Sequence, residues 1–598
     1  MQPSGSQSSG SGPSGIRRSG PDGSGQDGSG GGSSTLKKAL PILLLGVAAV
    51  VVAIIVVTRN SDDTTATPPA TTVVPAGVGA VSFADVAFPE GVTVYDKALK
   101  GGTADSFEWG ARCDTSRGRL ALPQFPQQPC FAPIAGDNGG ATAPGVTKDT
   151  IKVIVYLSQQ NDPVLTAVYR QIANDDTVDQ VFETYQKFND MYSKYYELYG
   201  RKVVLERYDA TGTILDPTAA TFDAETIAAK KPFMVMGGPL LTSAFADTLA
   251  AKKVMCVSCT PGQPSAFYGD RAPYVWDIQK NPEQNQQLAA EYIGKRLQGG
   301  LAEYAGDAAL KTKQRSFGYI HVEGSDASQK LEDKFVADLA KYDTTFTGKI
   351  ETYKLPTELA TTGRDIITRL KDSGVTSVVF SGDPLAPQTL TKIATEQQYF
   401  PEWIVTGTVL VDTTAFSRTY DQQQWAHAFG VSNLFSRVDP SSAGAAYLYN
   451  WYYGTKAPAD QTLAVLVPNL QFLYNALPGT GPALTPEAFQ KTLFITPVIP
   501  STPITPQISF GNRGFFADAD FNALDDQVEI WWDATATGTD ELDRSGTGMY
   551  QYANKGKRYL PGQWPTEQPK LFDPSTSVTI WDTPPAEAAL PTDYVPVK

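Results

Sequence analysis

The stretch FMVMGGPLLTSAFADTLAAKKVMCVSCT, residues 233–260, decides the fold. It opens with a short apolar run (233–236) and breaks at the glycine pair of GGP (237–239). A helical segment follows near 242–252, and a second apolar run, VMCVS, occupies 254–258. Short apolar runs separated by one amphipathic helix mark a βαβ unit, whose strands lie parallel and are covered by helices. The same alternation extends on both sides. Upstream lie IKVIVYL (151–157), an aromatic stripe from Val178 through Tyr185, Phe188, Tyr192, Tyr195 and Tyr199 at helical spacing, KVVLERY (202–208), and a helix near 218–230. The stripe is expected to be core. The pattern restarts with SFGYIHV (316–322), helices near 326–341 and 360–373, SVVF (377–380), a helix near 386–398 and WIVTG (403–407).

Two such blocks imply an α/β protein of two Rossmann-like lobes with parallel sheets. The expected boundaries are 145–280 with about 405–440 for the first lobe, and 281–404 with about 441–535 for the second. Helices are expected near 441–453, 461–477 and 485–493, then strand-like ISF (508–510) and QVEIWW (527–532). Residues 536–598, rich in proline, are expected to wrap the surface.

At 598 residues the chain is too long for one core, and its net charge of −14 argues against a broad grip on nucleic acid. Two histidines, His321 and His427, give little material for a histidine metal site or a Ser-His-Asp engine. Residues 39–57, ALPILLLGVAAVVVAIIVV, carry no charge. At about 1.5 Å per residue they match the hydrocarbon thickness of a bilayer. Lys37 and Lys38 precede them and Asp62 and Asp63 follow, so the positive-inside bias puts the N-terminus in the cytoplasm and everything after about residue 58 outside. The expectation is one transmembrane signal anchor (39–58) in the cell membrane, preceded by a Gly/Ser-rich disordered tail (1–35). A stalk and irregular extension (59–144) follow it.

The runs GVTKDTIKVIVYL (145–157), FMVMGGPLLTSAFAD (233–247), VMCVSCTPGQPSAFYGDRAPYVWDI (254–278), SFGYIHVEGSD (316–326) and VTSVVFSGDP (375–384) resemble type I periplasmic solute-binding proteins, the branched-chain amino-acid-binding type. The order is kept over about residues 145–533, and the anchored N-terminus resembles actinobacterial members. The resemblance implies two lobes joined by three crossovers and closing on a ligand about a hinge. It also implies a small polar solute, an ABC-type permease as partner, no cofactor and no catalysis. The first loop departs from the family pattern, being SQQNDPVLTAVYR (158–170), so amino-acid specificity does not carry over.

In open parallel sheets ligands sit outside the carboxyl ends of strands. The candidates there are Gly237 and Gly238, Thr242 and Ser243 opening a helix, and Ser258 and Thr260. On the second lobe they are Glu323, Asp383 and Thr408, with Thr406 beside the last. The two carboxylates would suit a ligand's ammonium group. A receptor of the same fold that signals to a partner is the alternative. A hydrolase is the weaker one, because no G-x-S-x-G, H-E-x-x-H or P-loop lysine motif occurs. DADFNALDDQVE (518–529) offers a calcium-loop pattern through Asp518, Asp520, Asn522, Asp526 and Glu529, but Ala523 replaces the turn glycine, and a solvated acidic turn is the expected reading.

Four cysteines allow three pairings. An extracytoplasmic location favours disulfides, and the local choice is Cys113–Cys130 with Cys256–Cys259. Residues three apart in an extended strand lie about 10 Å apart. The second bond therefore requires the strand to end and turn between Val257 and Cys259.

Overall fold

The computed structural model describes residues 81–598 apart from 135, 324–325, 409 and 543. The tail, the 39–58 anchor and the first part of the stalk lie outside the described residues. Among the described residues no helix is long and apolar enough to cross a membrane.

The first lobe is built on strands β1 (Thr150–Leu157), β2 (Lys202–Asp209), β3 (Met234–Met236), β4 (Met255–Val257) and β5 (Val275–Trp276). All pair in parallel, in the order β2-β1-β3-β4-β5. MVM and MCV are apolar throughout because both faces of these strands are covered, as parallel sheets require. Helices α1 (Pro163–Gln171), α2 (Val178–Tyr192), α3 (Pro217–Ala229) and α4 (Ala244–Ala251) follow successive strands. The aromatic stripe is core although α2 ends at Tyr192, and Tyr195 and Tyr199 sit in the turns beyond it: Tyr192 and Tyr195 are fully buried, and Tyr192 packs its ring 5.3 Å from that of Tyr474.

The second lobe repeats the strand order. Strands β6 (Phe317–Val322), β7 (Phe346–Tyr353), β8 (Ser377–Ser381), β9 (Glu402–Thr406) and β10 (Ala428–Ser432) run parallel as β7-β6-β8-β9-β10. Three antiparallel strands extend this sheet: β11 (Gln527–Thr539), β12 (Ser545–Tyr552) and β13 (Arg558–Tyr559).

The lobe boundaries differ from expectation. Residues 405–440 stay in the second lobe, because β9 and β10 complete its parallel sheet. Helices α5 (Ala445–Tyr453), α6 (Leu463–Thr480) and α7 (Pro486–Ile495) belong instead to the first lobe. Their Leu448, Leu470 and Phe489 share one core with Val153, Met234 and Cys256. Helical periodicity reveals an apolar face but not which sheet that face will cover. The chain thus passes between lobes at 277–281, 433–444 and 511–526. The C-terminal wrap is shorter than expected, since 536–559 is largely sheet. Beyond it, Trp581 bridges to Val438, and the Tyr594 hydroxyl donates to Asp114 on the first lobe at 2.8 Å.

The acidic run 518–529 is neither solvated nor a calcium loop. Asp518 is exposed, whereas Asp520, Asn522, Asp525, Asp526 and Glu529 are buried at the last crossover. Their oxygens diverge: Asp526 pairs with Arg558 at 2.8 Å and Glu529 with Arg296 at 2.9 Å. Asn522 accepts from Asn281. Once Gln527 enters β11, alternate residues point to opposite faces of the sheet, which no single ion bridges.

This junction makes stability depend on pH. Burial pushes Asp520 up to about 8 and Asp525 up to about 7. It also pulls Lys280 down to about 7, against the nearby Asp526 and Asp525. Between about pH 4 and 7 the folded chain retains protons on these acids that the unfolded chain has released, so their contribution falls as pH rises. Lys280 is protonated in both states below about 7 and acts only above it. His321 and His427, held below their ordinary value by burial, act in the opposite direction. Asp520→Asn isolates the acid's share. Urea denaturation at pH 5 and pH 7 is expected to show stability falling less with pH in the variant than in the wild type. Identical dependence would remove Asp520 from this account.

Candidate functional site

In a sheet ordered β2-β1-β3-β4-β5 the crossover direction reverses between β1 and β3, and a crevice forms beyond their carboxyl ends. Here that crevice is shaped by two touching loops. Gly237 has φ +76°, a conformation costly for an L side chain. A Cβ on Gly238 would stand 2.4 Å from the carbonyl oxygen of Cys259, so only glycine lets the loops after β3 and β4 meet. The Gly237 amide donates to Val257 C=O at 3.0 Å.

The loop after β4 satisfies the geometric condition on its cysteines. The strand ends at Val257, Ser258 turns with φ +50°, and Cys256 bonds Cys259 with their Cα atoms 5.9 Å apart. Cys113–Cys130 is the other disulfide. Ser258 is a non-glycine residue in the left-handed region, which places its hydroxyl at the cavity wall rather than along the sheet.

A cavity of about 160 Å³ lies beyond these tips. Its floor is Leu157, Gly237, Gly238 and Ser258, and its walls come from α1, α2, α6 and the first crossover. Two buried oxygens at its surface, Ser258 Oγ and Asn469 Oδ1, have no hydrogen-bond partner among the described residues. Tyr169 and Tyr185 line it, each pushed up to about 12 by burial, with Asp176 also acting on Tyr169. Two carboxylates border it. Asp176 is pushed up to about 6 by burial although the Thr462 hydroxyl donates to it at 2.6 Å. Asp277 is also pushed up to about 6 by burial, while accepting from the Gln279 amide at 2.9 Å. Among the described residues no lysine, arginine or histidine lines the cavity, a lining that suits hydrogen-bond donors better than a lone carboxylate.

Of the residues singled out in the sequence, Gly237, Gly238 and Ser258 come together here. Thr242, Ser243 and Thr260 do not line the cavity. The Thr260 hydroxyl donates to Thr242 C=O at 3.1 Å, and Thr242 Oγ1 accepts from the Ala244 amide, so both serve local turns. On the second lobe Asp383 does not line this cavity. It is buried, accepts from the amides of Leu385 and Ala386, and takes the Tyr353 hydroxyl at 2.6 Å. Glu323 is exposed, 3.5 Å from Lys354. Thr408 keeps a buried hydroxyl without a partner among the described residues but lies outside this cavity.

The reason these second-lobe tips do not reach the cavity is α1. Asp162 holds its start by accepting from the amides of Val164 and Leu165, and its other oxygen accepts from Ile214. Val164, Leu165, Val168 and Ile172 then join the apolar cluster of Tyr353, Ala386, Leu410 and Val411 on the second lobe. The segment 158–172 thus stands between the first sheet's tips and the second lobe.

Asn469 and Asp176, which also line this cavity, were not singled out in the sequence. The signal for Asn469 was present: an amide inside the apolar helical run LAVLVPNLQFL (463–473), next to Pro468. Asp176 carries no such mark.

No protein-family model matches the chain, and no curated protein matches it in sequence. Solved structures similar to it include the leucine-, isoleucine-, valine-, threonine- and alanine-binding protein from Brucella ovis in its closed conformation. That match is 12% identical and covers 73% of this chain and 100% of that one, with a TM-score of 0.46. A solute-binding protein of an ABC transporter from Rhodopseudomonas palustris BisB5, in complex with 3,4-dihydroxybenzoic acid, is 13% identical. It covers 67% and 97% of the two chains, with a TM-score of 0.45. A fatty acid ABC transporter substrate-binding protein from Thermomonospora curvata is 14% identical, covers 71% and 97%, and scores 0.42.

Proposed function

We propose that this chain is the extracytoplasmic solute-binding component of an ABC-type importer, held to the cell membrane by residues 39–57 and working with a permease. The observation that carries this reading is the cavity at the switch point of the first sheet, with the oxygens of Ser258 and Asn469 buried and unpartnered at its wall. A buried acceptor left without a donor costs about 1–3 kcal/mol, which a bound donor recovers. With two acids, two tyrosines and no cation around it, the site suits a small, donor-rich, neutral or cationic solute such as an amine, an amide or an amino-acid derivative. A cavity of about 150 Å³ holds a molecule the size of benzene, which sets the scale of the solute's body.

Closure, not bond chemistry, is the mechanism. Helix α1 lines the cavity with Leu165 and Tyr169, while Val164, Leu165 and Val168 belong to the apolar cluster that includes second-lobe residues. A solute that holds α1 in this position favours the arrangement in which the lobes meet, and only that difference in affinity shifts the population.

The test is a thermal-shift and titration screen of the full chain against amines, amides, amino acids and sugars, followed by uptake in a deletion strain. A donor-bearing solute is expected to bind. Ser258→Ala is expected to weaken it by about two- to tenfold, the worth of one neutral hydrogen bond. A solute bound equally well by wild type and Ser258→Ala would place the site elsewhere, and intact uptake without the chain would remove the transport role.

A further inference from the structure

A second and larger cavity, about 290 Å³, shares Ile278 and Gln279 with the first and lies where α5, α6 and α7 face all three crossovers. Leu448 and Ala464 close it from the helices, and Ile278, Leu434 and Leu524 from the three passages between lobes. The extended segments at both ends of the described chain also reach it, through Phe125 and Leu590. Among the described residues its wall contains no Asp, Glu, Lys, Arg or His.

Polar side chains at this wall are engaged: Ser509 donates to Asp525 at 2.7 Å, Thr505 shares a hydrogen bond with Thr502, and three amides join a network through Tyr196. The Gln124 amide donates to the Tyr196 hydroxyl at 2.6 Å, and that hydroxyl donates to Asn475 Oδ1 at 2.8 Å. Gln471 donates to Gln124 Oε1 at 3.3 Å. Ser436 is the exception. It is 4% exposed, and its Oγ has no hydrogen-bond partner among the described residues.

We infer that this cavity is a binding site for a neutral, mainly apolar molecule carrying one hydroxyl or carbonyl group, which meets Ser436. Two physical arguments select that class. An ionised carboxylate or ammonium would be buried without a counter-charge, a cost that no contact here offsets. A pure hydrocarbon would leave Ser436 unpaired. Scaled from the 150 Å³ cavity that admits benzene, the space suits a molecule of roughly a dozen non-hydrogen atoms. Because the wall includes residues from each crossover, an occupant packs against the segments about which the lobes would move.

The experiment uses the full chain in lipid nanodiscs, with signal from empty nanodiscs subtracted, and the probes 1-octanol and octanoate at pH 8. Octanol is expected to raise the melting temperature with saturable binding, and octanoate is expected to do neither. Ser436→Ala should weaken octanol binding about two- to tenfold, the range for one neutral hydrogen bond. Ala464→Phe, which fills the cavity from α6, should abolish binding while melting no lower than the wild type. Equal binding of octanol and octanoate, no saturable binding of octanol, or octanol binding unchanged in Ser436→Ala would each overturn the proposal. The last arm holds even if Ala464→Phe fails to fold.

Discussion

Replacing Arg558 by methionine is expected to cost about 3–5 kcal/mol of folding stability, the usual range when one partner of a buried ion pair is removed. Arg558 is almost fully buried, as is Asp526, to which its Nε donates at 2.8 Å. Its other nitrogens donate to the carbonyls of Leu434 and Asn433. One side chain on β13 therefore holds two crossovers together, the second at 433–434 and the third at 526. Without it, Asp526 remains buried, keeping only the Gln507 amide on its other oxygen and the charge of nearby Lys280. Urea denaturation of Arg558→Met measures the loss. Adding Asp526→Asn removes the stranded charge, so the double variant is expected to be more stable than Arg558→Met alone. A loss below about 1 kcal/mol, typical of exposed pairs, would show that the crossovers do not depend on this contact.

The second large effect concerns the space between the lobes. Val168 on α1 is fully buried within the cluster shared with the second lobe. Val168→Asp places a carboxylate there without a partner, which costs several kcal/mol unless water reaches it. Separation of the lobes lets water in, so the expected result is a larger radius of gyration by solution scattering with helix and strand content kept. Solute affinity is expected to fall at least tenfold, because α1 also forms part of the cavity wall. Val168→Ala, which removes only methyl groups, should leave the radius unchanged. Unchanged scattering in Val168→Asp would mean that α1 does not bridge the lobes.

Strand ends, helix positions and the two local disulfides were legible because each depends on neighbours in the chain. Apolar runs of three to eight residues mark strands covered on both faces, and the turn that Cys256–Cys259 needs follows from the reach of an extended backbone. Ser258 was legible at the wall of the cavity for the same reason: the position just past a parallel strand is set by the strand itself. Asp383 looked equivalent at its own strand end, yet its carboxylate serves the amides of the next helix and Tyr353. Short polar side chains at strand ends have local partners as well as distant ones, and sequence does not tell which partner wins.

By itself the sequence determined that there are two parallel sheets, most of the first and three strands of the second, while β7 and β10 were not legible in it. Periodicity and strand chemistry act within ten or twenty residues and are written into the chain. Only the tertiary structure decided which lobe owns 405–440 and 441–495, that 520–529 is buried rather than solvated, and that α1 stands where second-lobe residues were expected. Each of those outcomes depends on which apolar face finds which uncovered surface, between residues hundreds of positions apart. Hydrophobic burial is non-directional, and an amphipathic helix carries no label for the sheet that will cover it.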